Sequence, residues 1–351
     1  MSTPTLQQKL GQLFLIGFAG DSLSPGHPIA AAIAEGNLGG VILFDRLIAE
    51  KKDSNNIINP EQLRRLTKDL QDLADGDLLI AVDQEGGKVN RFKGERGFPT
   101  SPAAAELGSS PNIRATTASA RKTARMLRQV GVNLNLAPVV DLNINRNNPI
   151  IGRYDRSFSD NPQTVAAHAA AWIREHHAEG IHCCLKHFPG HGSSTGDSHL
   201  GFVDITLSWQ ESELEPYKTL IATGLAEAVM VGHLINRNFD PQFPATLSAA
   251  TVRSLLRRKL GFTGLIISDD MQMKAITDHC GLEDACCKAL AAGVDLLIIG
   301  NNLVHDPAIF TKAVHAVERA VQGGEVSPQR VAEAYGNVQK FKQSLRDGHG
   351  S

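Results

Sequence analysis

The sequence predicts a single (β/α)8 TIM barrel with C-terminal helices, on three observations. Short runs rich in Val, Ile and Leu recur eight times along the 351 residues. Each is followed by a longer segment with helical spacing, the alternation that parallel βα units produce. The runs are apolar almost throughout, as strands covered on both faces must be. A doubly wound open sheet is the alternative that the same alternation allows.

The strand candidates are QLFLIGF (12–18), GGVILF (39–44), DLLIAVD (77–83), GVNLNLAPVVD (131–141), IHCCLKHF (181–188), AEAVMVGHL (226–234), FTGLIISDD (262–270) and GVDLLIIG (293–300). Between them, NPEQLRRLTKDLQDL reads as a helix with Asn59 as cap and Pro60 in its first turn. Leu63, Leu66, Leu70 and Leu73 would form its apolar stripe. SAATVRSLLRRKLG reads as another, capped by Ser248, turning Val252, Leu255, Leu256 and Leu260 inward and ending at Gly261. After the eighth strand, about 305–345 reads as two helices around QGGEVSP, too little for a second enzyme domain. The whole of 1–351 is therefore one catalytic domain, with 46–60 a charged surface insertion and the final RDGHGS frayed.

Thirty-five basic residues against 37 acidic ones leave a net charge of -2, without a like-charged block. That balance excludes the electrostatic footprint of a nucleic-acid or anionic-membrane binder, so the expected partner is a small neutral molecule. The start lacks the pattern of an export signal and no run reaches about 18 apolar residues, which leads us to expect a cytoplasmic, soluble monomer. Five cysteines, two pairs of them adjacent, suit neither a disulfide framework nor a zinc knuckle; reduced and mostly buried thiols are expected.

In such barrels chemistry sits where strands end at their C-termini. The polar residues there are Asp83 with Gln84 and Glu85, Asp141, Lys186 with His187, His233, and Asp269 with Asp270. One stretch, KHFPGHGSSTGDSHLG (186–201), is dense in His and Gly and has three readings. As a metal site it fails on spacing, since Pro189 and two glycines between His187 and His191 prevent one regular helical face. As a phosphate loop it lacks the G-x-x-x-x-G-K-[ST] order. As a proton-transfer loop it offers Asp197 and His199 two residues apart, on one side of an extended segment, where the carboxylate can orient the imidazole. Polar loop residues bonded to backbone would look the same, and the Asp-x-His pair alone does not decide.

The strings IAVDQEGGKVNRF (80–92), APVVDLN (137–143), IIGRYDRSFSDNP (150–162), KHFPGHGSSTGDSH (186–199) and IISDDMQMKAI (266–276) occur in the order seen in family 3 glycoside hydrolases. The chain resembles that family from about residue 6 to about 340, and within it the bacterial β-N-acetylglucosaminidases of peptidoglycan recycling. The resemblance implies a retaining, exo-acting hydrolase that removes terminal N-acetylglucosamine from muropeptides through a covalent glycosyl-enzyme, without metal or cofactor. It implies Asp269 as nucleophile, with Asp197 and His199 as the acid/base pair on a mobile glycine-rich loop. Asp83, Arg91, Arg156, Lys186 and His187 are implied to bind the sugar. Glu85 and Asp141 read instead as buried partners of these basic residues, and Asp270 as pointing elsewhere to cap the next helix.

Two departures stand out. Ser193 and Ser194 occupy the place where Asp-Thr is usual after PGHG, and IGRYDRSF is longer than the usual IGxRSF. A β-glucosidase or a β-N-acetylglucosaminide phosphorylase of the same fold are the neighbouring activities. From other classes, a metal-dependent hydrolase using His187, His191 and His199 or an inactive sugar-binding module would share the motifs; chelator sensitivity and turnover separate these.

Overall fold

The computed structural model describes residues 4–24, 26–197, 201, 203–278 and 280–347. Among them are ten strands, β1 (Phe14–Gly17), β2 (Gly40–Ile42), β3 (Leu79–Val82), β4 (Leu134–Asn135), β5 (His182–Phe188), β6 (Val203–Asp204), β7 (Ala228–Val231), β8 (Leu234–Ile235), β9 (Leu265–Asp270) and β10 (Leu296–Ile299). All but β6 and β8 close a barrel in the order β1-β10-β9-β7-β5-β4-β3-β2, every pair parallel. β6 and β8 form a separate two-stranded ribbon. All eight predicted barrel strands are present. β4 is much shorter than 131–141, although single backbone bonds continue beyond it, Leu136 N to Val82 C=O and Val140 N to Lys186 C=O.

The strands are buried without alternation, with Leu15, Val41, Ile80, Leu134, Cys184, Val229, Ile266 and Leu297 all at 0% exposure. Packing on both faces dictates this, since helices cover the outside and side-chain layers fill the inside. Helix Pro60–Leu73 starts as the sequence indicates, with the Asn59 side chain accepting from the Gln62 N–H and contributing about 1 kcal/mol. Its buried stripe is Leu63, Leu66, Thr67 and Leu70. Leu73 does not belong to it: it is 37% exposed, as the last turn runs past the barrel's edge.

Ala250–Lys259 departs from the expected α-helix and is wound as a π-helix. Leu260 N–H reaches back to Leu255 C=O, and Gly261 closes the element at φ +70°. Ser248 still caps, its Oγ accepting from Thr251 N, while Leu260 is only half-buried. The two C-terminal helices are Ile309–Gln322 and Pro328–Asp347. The second is fastened to the barrel base by Lys342, whose Nζ donates to Gln12 Oε1 and Asp77 C=O, each at 2.8 Å.

The 46–60 segment is not simply a surface insertion. Leu47, Asn55, Asn56 and Ile57 are buried. Asn55 and Asn56 both donate to Phe18 C=O and Asn56 also to Gly20 C=O, tying the segment to the exit of β1. These amides satisfy backbone carbonyls that would otherwise lie buried without partners.

Two irregularities in the barrel fall where chemistry was expected. β5 takes three residue steps, from Leu185 to Phe188, over the span β7 covers in two, from Val229 to Val231. β9 does the same against β10, with Ile267 to Asp270 opposite Leu296 to Ile298. An extra residue breaks the inward-outward alternation and re-aims side chains. The extra residues lie around Lys186–His187 and Ser268–Asp269.

Candidate active site

The C-terminal ends of the strands surround a cavity of about 440 Å³. Asp83, Arg91, Arg156, Lys186, His187, Asp197 and Asp269 all line it. They come from the ends of β3, β5 and β9 and from the loops after β3, β4 and β5. His199 lies outside the described residues.

A buried charge network forms one wall. Lys186, 2% exposed, places Nζ 2.7 Å from both Asp83 Oδ1 and Glu85 Oε1. Arg156 grips Glu85 with a two-pronged fork, Nε to Oε2 and Nη2 to Oε1, each 2.7 Å. Its Nη1 donates to Ile150 C=O, so the long IGRYDRSF segment still delivers Arg156 onto the barrel. Burial alone would raise the Glu85 pKa, but Arg156 and Lys186 outweigh it and hold the carboxyl well below the usual range. Burial opposes the Lys186 charge too, and Asp83 and Glu85 reverse that, raising its pKa. Glu85 is thus the buried partner the sequence suggested.

Asp141, 1% exposed, does the same for the histidines. Its Oδ2 is 2.7 Å from His187 Nδ1, and its Oδ1 accepts from the His191 N–H at 2.8 Å. His187 Nε2 is left facing Arg156 Nη2 at 3.4 Å. His191 is enclosed; burial first, then the neighbouring His187, pushes its pKa down to about 4. His191 is therefore neutral at neutral pH, with Ser194 Oγ 2.7 Å from its Nδ1.

Ser193 and Ser194 prove structural. Asn148 Nδ2 donates to Ser194 Oγ and to His191 C=O, and Asn145 Nδ2 to Ser194 C=O. Glu213 Oε2 accepts from Gly192 N and Ser193 N, and Trp209 Nε1 donates to Pro189 C=O. Gly192 fits because a Cβ there would sit 1.6 Å from Leu142 O. Residues 189–194, the root of the loop, are all buried. Exposure begins at Thr195, ahead of Asp197.

Asp269 and Asp270 both line the cavity, which corrects the expectation that Asp270 points elsewhere. The bulge in β9 removes the strict alternation on which that expectation rested. Their surroundings still differ. Asp270 Oδ1 accepts from Gln272 N and Gly300 N, committing it to the turn after β9 rather than to a helix cap; Met273 precedes the next helix, Lys274–Thr277. Asp269 Oδ1 accepts from Asp270 N at 2.8 Å. His233 stands behind them, its Nε2 3.0 Å from Asp270 C=O and its Nδ1 2.8 Å from Thr246 Oγ1.

Sequence reasoning missed Asp45, which is 1% exposed and 2.9 Å from Lys93 Nζ and 3.6 Å from Arg91 Nη1. It follows β2 as Asp83 follows β3, so the strand-end criterion applied to GGVILFD would have found it. Arg91 bridges Asp45 to Asp83, 3.8 Å away, with its guanidinium over the Phe44 ring. Tyr154, 46% exposed, also lines the cavity and has Lys88 over its ring. Chemically, the cavity offers carboxylates to accept from hydroxyl groups, cations to donate to them, and the Asp269 carboxylate among them.

A closed parallel barrel whose strand ends gather carboxylates and cations around one pocket defines an enzyme of the (β/α)8 class. A model of the glycosyl hydrolase family 3 N terminal domain matches residues 5–341. A beta-hexosaminidase of Xylella fastidiosa (strain M23) is 38% identical over 314 residues, 87% of each chain. One of Tolumonas auensis is 39% identical over 279 residues, 78% of each chain. A glycoside hydrolase family 3 beta-N-acetylglucosaminidase from Paenibacillus sp. str. FPU-7 superposes with a TM-score of 0.89 at 32% identity, over 98% of this chain and 63% of that one. Beta-N-acetylhexosaminidase from Beutenbergia cavernae gives 0.82 at 28% identity, over 98% and 100%. The chain belongs to glycosyl hydrolase family 3 and is a glycoside hydrolase.

Proposed function

We propose that this glycoside hydrolase is a retaining, exo-acting β-N-acetylglucosaminidase that takes muropeptides as its substrate. The observation that carries the reading is that Asp269 and Asp197 line one sugar-sized cavity together with Asp83, Arg91, Arg156, Lys186 and His187. Similarity to proteins called beta-hexosaminidase supports the choice of sugar. Asp83 accepts from sugar hydroxyls while Arg91, Arg156 and Lys186 donate, fixing a neutral pyranose above Asp269. The Asp269 carboxylate then bonds to the anomeric carbon as the glycosidic C–O bond breaks, and His199, oriented by Asp197, gives its proton to the leaving oxygen. Water reverses the exchange: its oxygen bonds to the anomeric carbon, its proton returns to His199, and Asp269 is released.

The compartment we propose is the cytoplasm, and the working state a monomer. Free thiols at all five cysteines, four of them buried, support a reducing compartment. Among the described residues no helix is long and apolar enough to cross a membrane.

The test is trapping with a 5-fluoro N-acetylglucosaminyl donor, followed by peptide mapping. The label is expected on Asp269, and Asp269→Ala is expected to lose at least about a thousandfold in kcat on an aryl β-N-acetylglucosaminide. A label on Asp270, or a wild-type rate in Asp269→Ala, refutes the nucleophile assignment. Release of a sugar 1-phosphate in phosphate buffer would make the enzyme a phosphorylase, and preference for an aryl glucoside would make it a β-glucosidase.

A further inference from the structure

On the opposite face of the barrel, at the N-terminal ends of the strands, two histidines converge on one carboxylate. His177 ends helix Pro162–His177, His182 opens β5, and Glu227 immediately precedes β7. His177 Nε2 is 2.7 Å from Glu227 Oε2, and His182 Nδ1 is 2.9 Å from Glu227 Oε1. One ligand-type atom from each residue lies within 4.8 Å of the others, the only such group of three among the described residues.

The hydrogen bonds around the cluster orient the His182 ring. His182 Nε2 faces Ser344 Oγ at 2.9 Å and Phe341 C=O at 3.3 Å. Ser344 spends its one proton on Phe341 C=O, so both atoms facing Nε2 accept and Nε2 carries the hydrogen. A neutral His182 then turns the bare lone pair of Nδ1 toward a carboxylate oxygen. His177 Nε2 is a buried atom that makes no hydrogen bond despite the 2.7 Å approach, because the contact lies off the ring's N–H axis. A cation seated between the two ring nitrogens and the carboxylate would be held by lone pairs from all three residues.

We propose that His177, His182 and Glu227 form a site for a divalent transition-metal ion, zinc being the natural occupant, that clamps the end of helix Pro162–His177 to the starts of β5 and β7. Two imidazoles and a carboxylate are a zinc donor set. Tetrahedral zinc asks for donors about 3.3 Å apart, so the contacts need open by only about half an ångström. The Ser344 and Phe341 contacts supply the outer hydrogen bond that orients a metal-ligating histidine. His177 and Glu227 are partly exposed, at 29% and 22% of their side chains, which leaves an entry path and room for water as a further ligand. The site stands apart from the glycosidase pocket, so its role is to hold the fold.

The experiment uses the full chain, stripped with a chelator and titrated with ZnCl2 by calorimetry at pH 7.5, with Tm measured in parallel. We expect one saturable zinc site and a Tm that rises with occupancy. His177→Gln and Glu227→Gln should each weaken that binding by about a hundredfold or more and abolish the Tm response while leaving aryl-glycosidase activity unchanged. Cobalt should give the absorption spectrum of a tetrahedral centre in wild type and not in the variants. Absence of saturable zinc binding in the wild type, or binding that both variants retain, overturns the proposal.

Discussion

Replacing Glu213 by glutamine should flatten the pH dependence of stability. Glu213 is 1% exposed and holds the root of the 189–194 loop through Gly192 N and Ser193 N. Burial, only partly offset by these and other hydrogen bonds, lifts its pKa from an ordinary 4.5 to about 7. The folded state therefore binds this proton more tightly than the unfolded chain. Its contribution is fully present below pH 4.5 and is lost as pH rises through 7. At 1.36 kcal/mol per unit, the loss between pH 5 and pH 8 comes to about 2.5 kcal/mol. Glutamine cannot ionise but keeps an oxygen for the same backbone donors, so Glu213→Gln should gain about that much relative to wild type between the two pH values. Urea unfolding of both proteins at pH 5, 6, 7 and 8 measures it. Parallel stability curves would show that Glu213 is ionised throughout and that burial does not govern it.

Glu85→Ala removes the shared partner of Arg156 and Lys186 and should cost about 3–5 kcal/mol in urea unfolding, since it takes the paired carboxylate from the buried Arg156 and leaves Lys186 with Asp83. Glu85→Gln should recover little of it, because a neutral amide cannot balance two charges; full recovery would show that shape rather than charge matters. Ser194→Ala leaves His191 Nδ1 and Asn148 Nδ2 without the buried oxygen they share and should cost about 1–3 kcal/mol. A Tm equal to wild type would mean that another group takes its place.

Much of the site was legible because a parallel barrel puts chemistry where strands end. Asp83, Lys186, His187 and Asp269 each close an apolar run, and all reach one cavity. Glu85 and Asp141 were legible as partners because buried carboxylates beside basic residues have little alternative. Asp45 passed unnoticed although it obeys the same pattern. The His177–His182–Glu227 cluster was not legible, since 45 residues separate His182 from Glu227 and only the neighbouring positions of β5 and β7 bring them together.

The sequence by itself determined the eight-fold βα rhythm, the helix caps such as Asn59, and the end of the barrel at which polar side chains gather. Each follows from local periodicity, or from one residue's effect on its own backbone. Only the tertiary structure decided where Asp269 and Asp270 aim, since a one-residue bulge against β10 resets the alternation of β9. It also decided that 46–60 is anchored by buried amides and that Ser193 and Ser194 lie in a fixed loop root. Those outcomes depend on which distant carbonyl or carboxylate arrives beside each group, and no spacing along the chain carries that information.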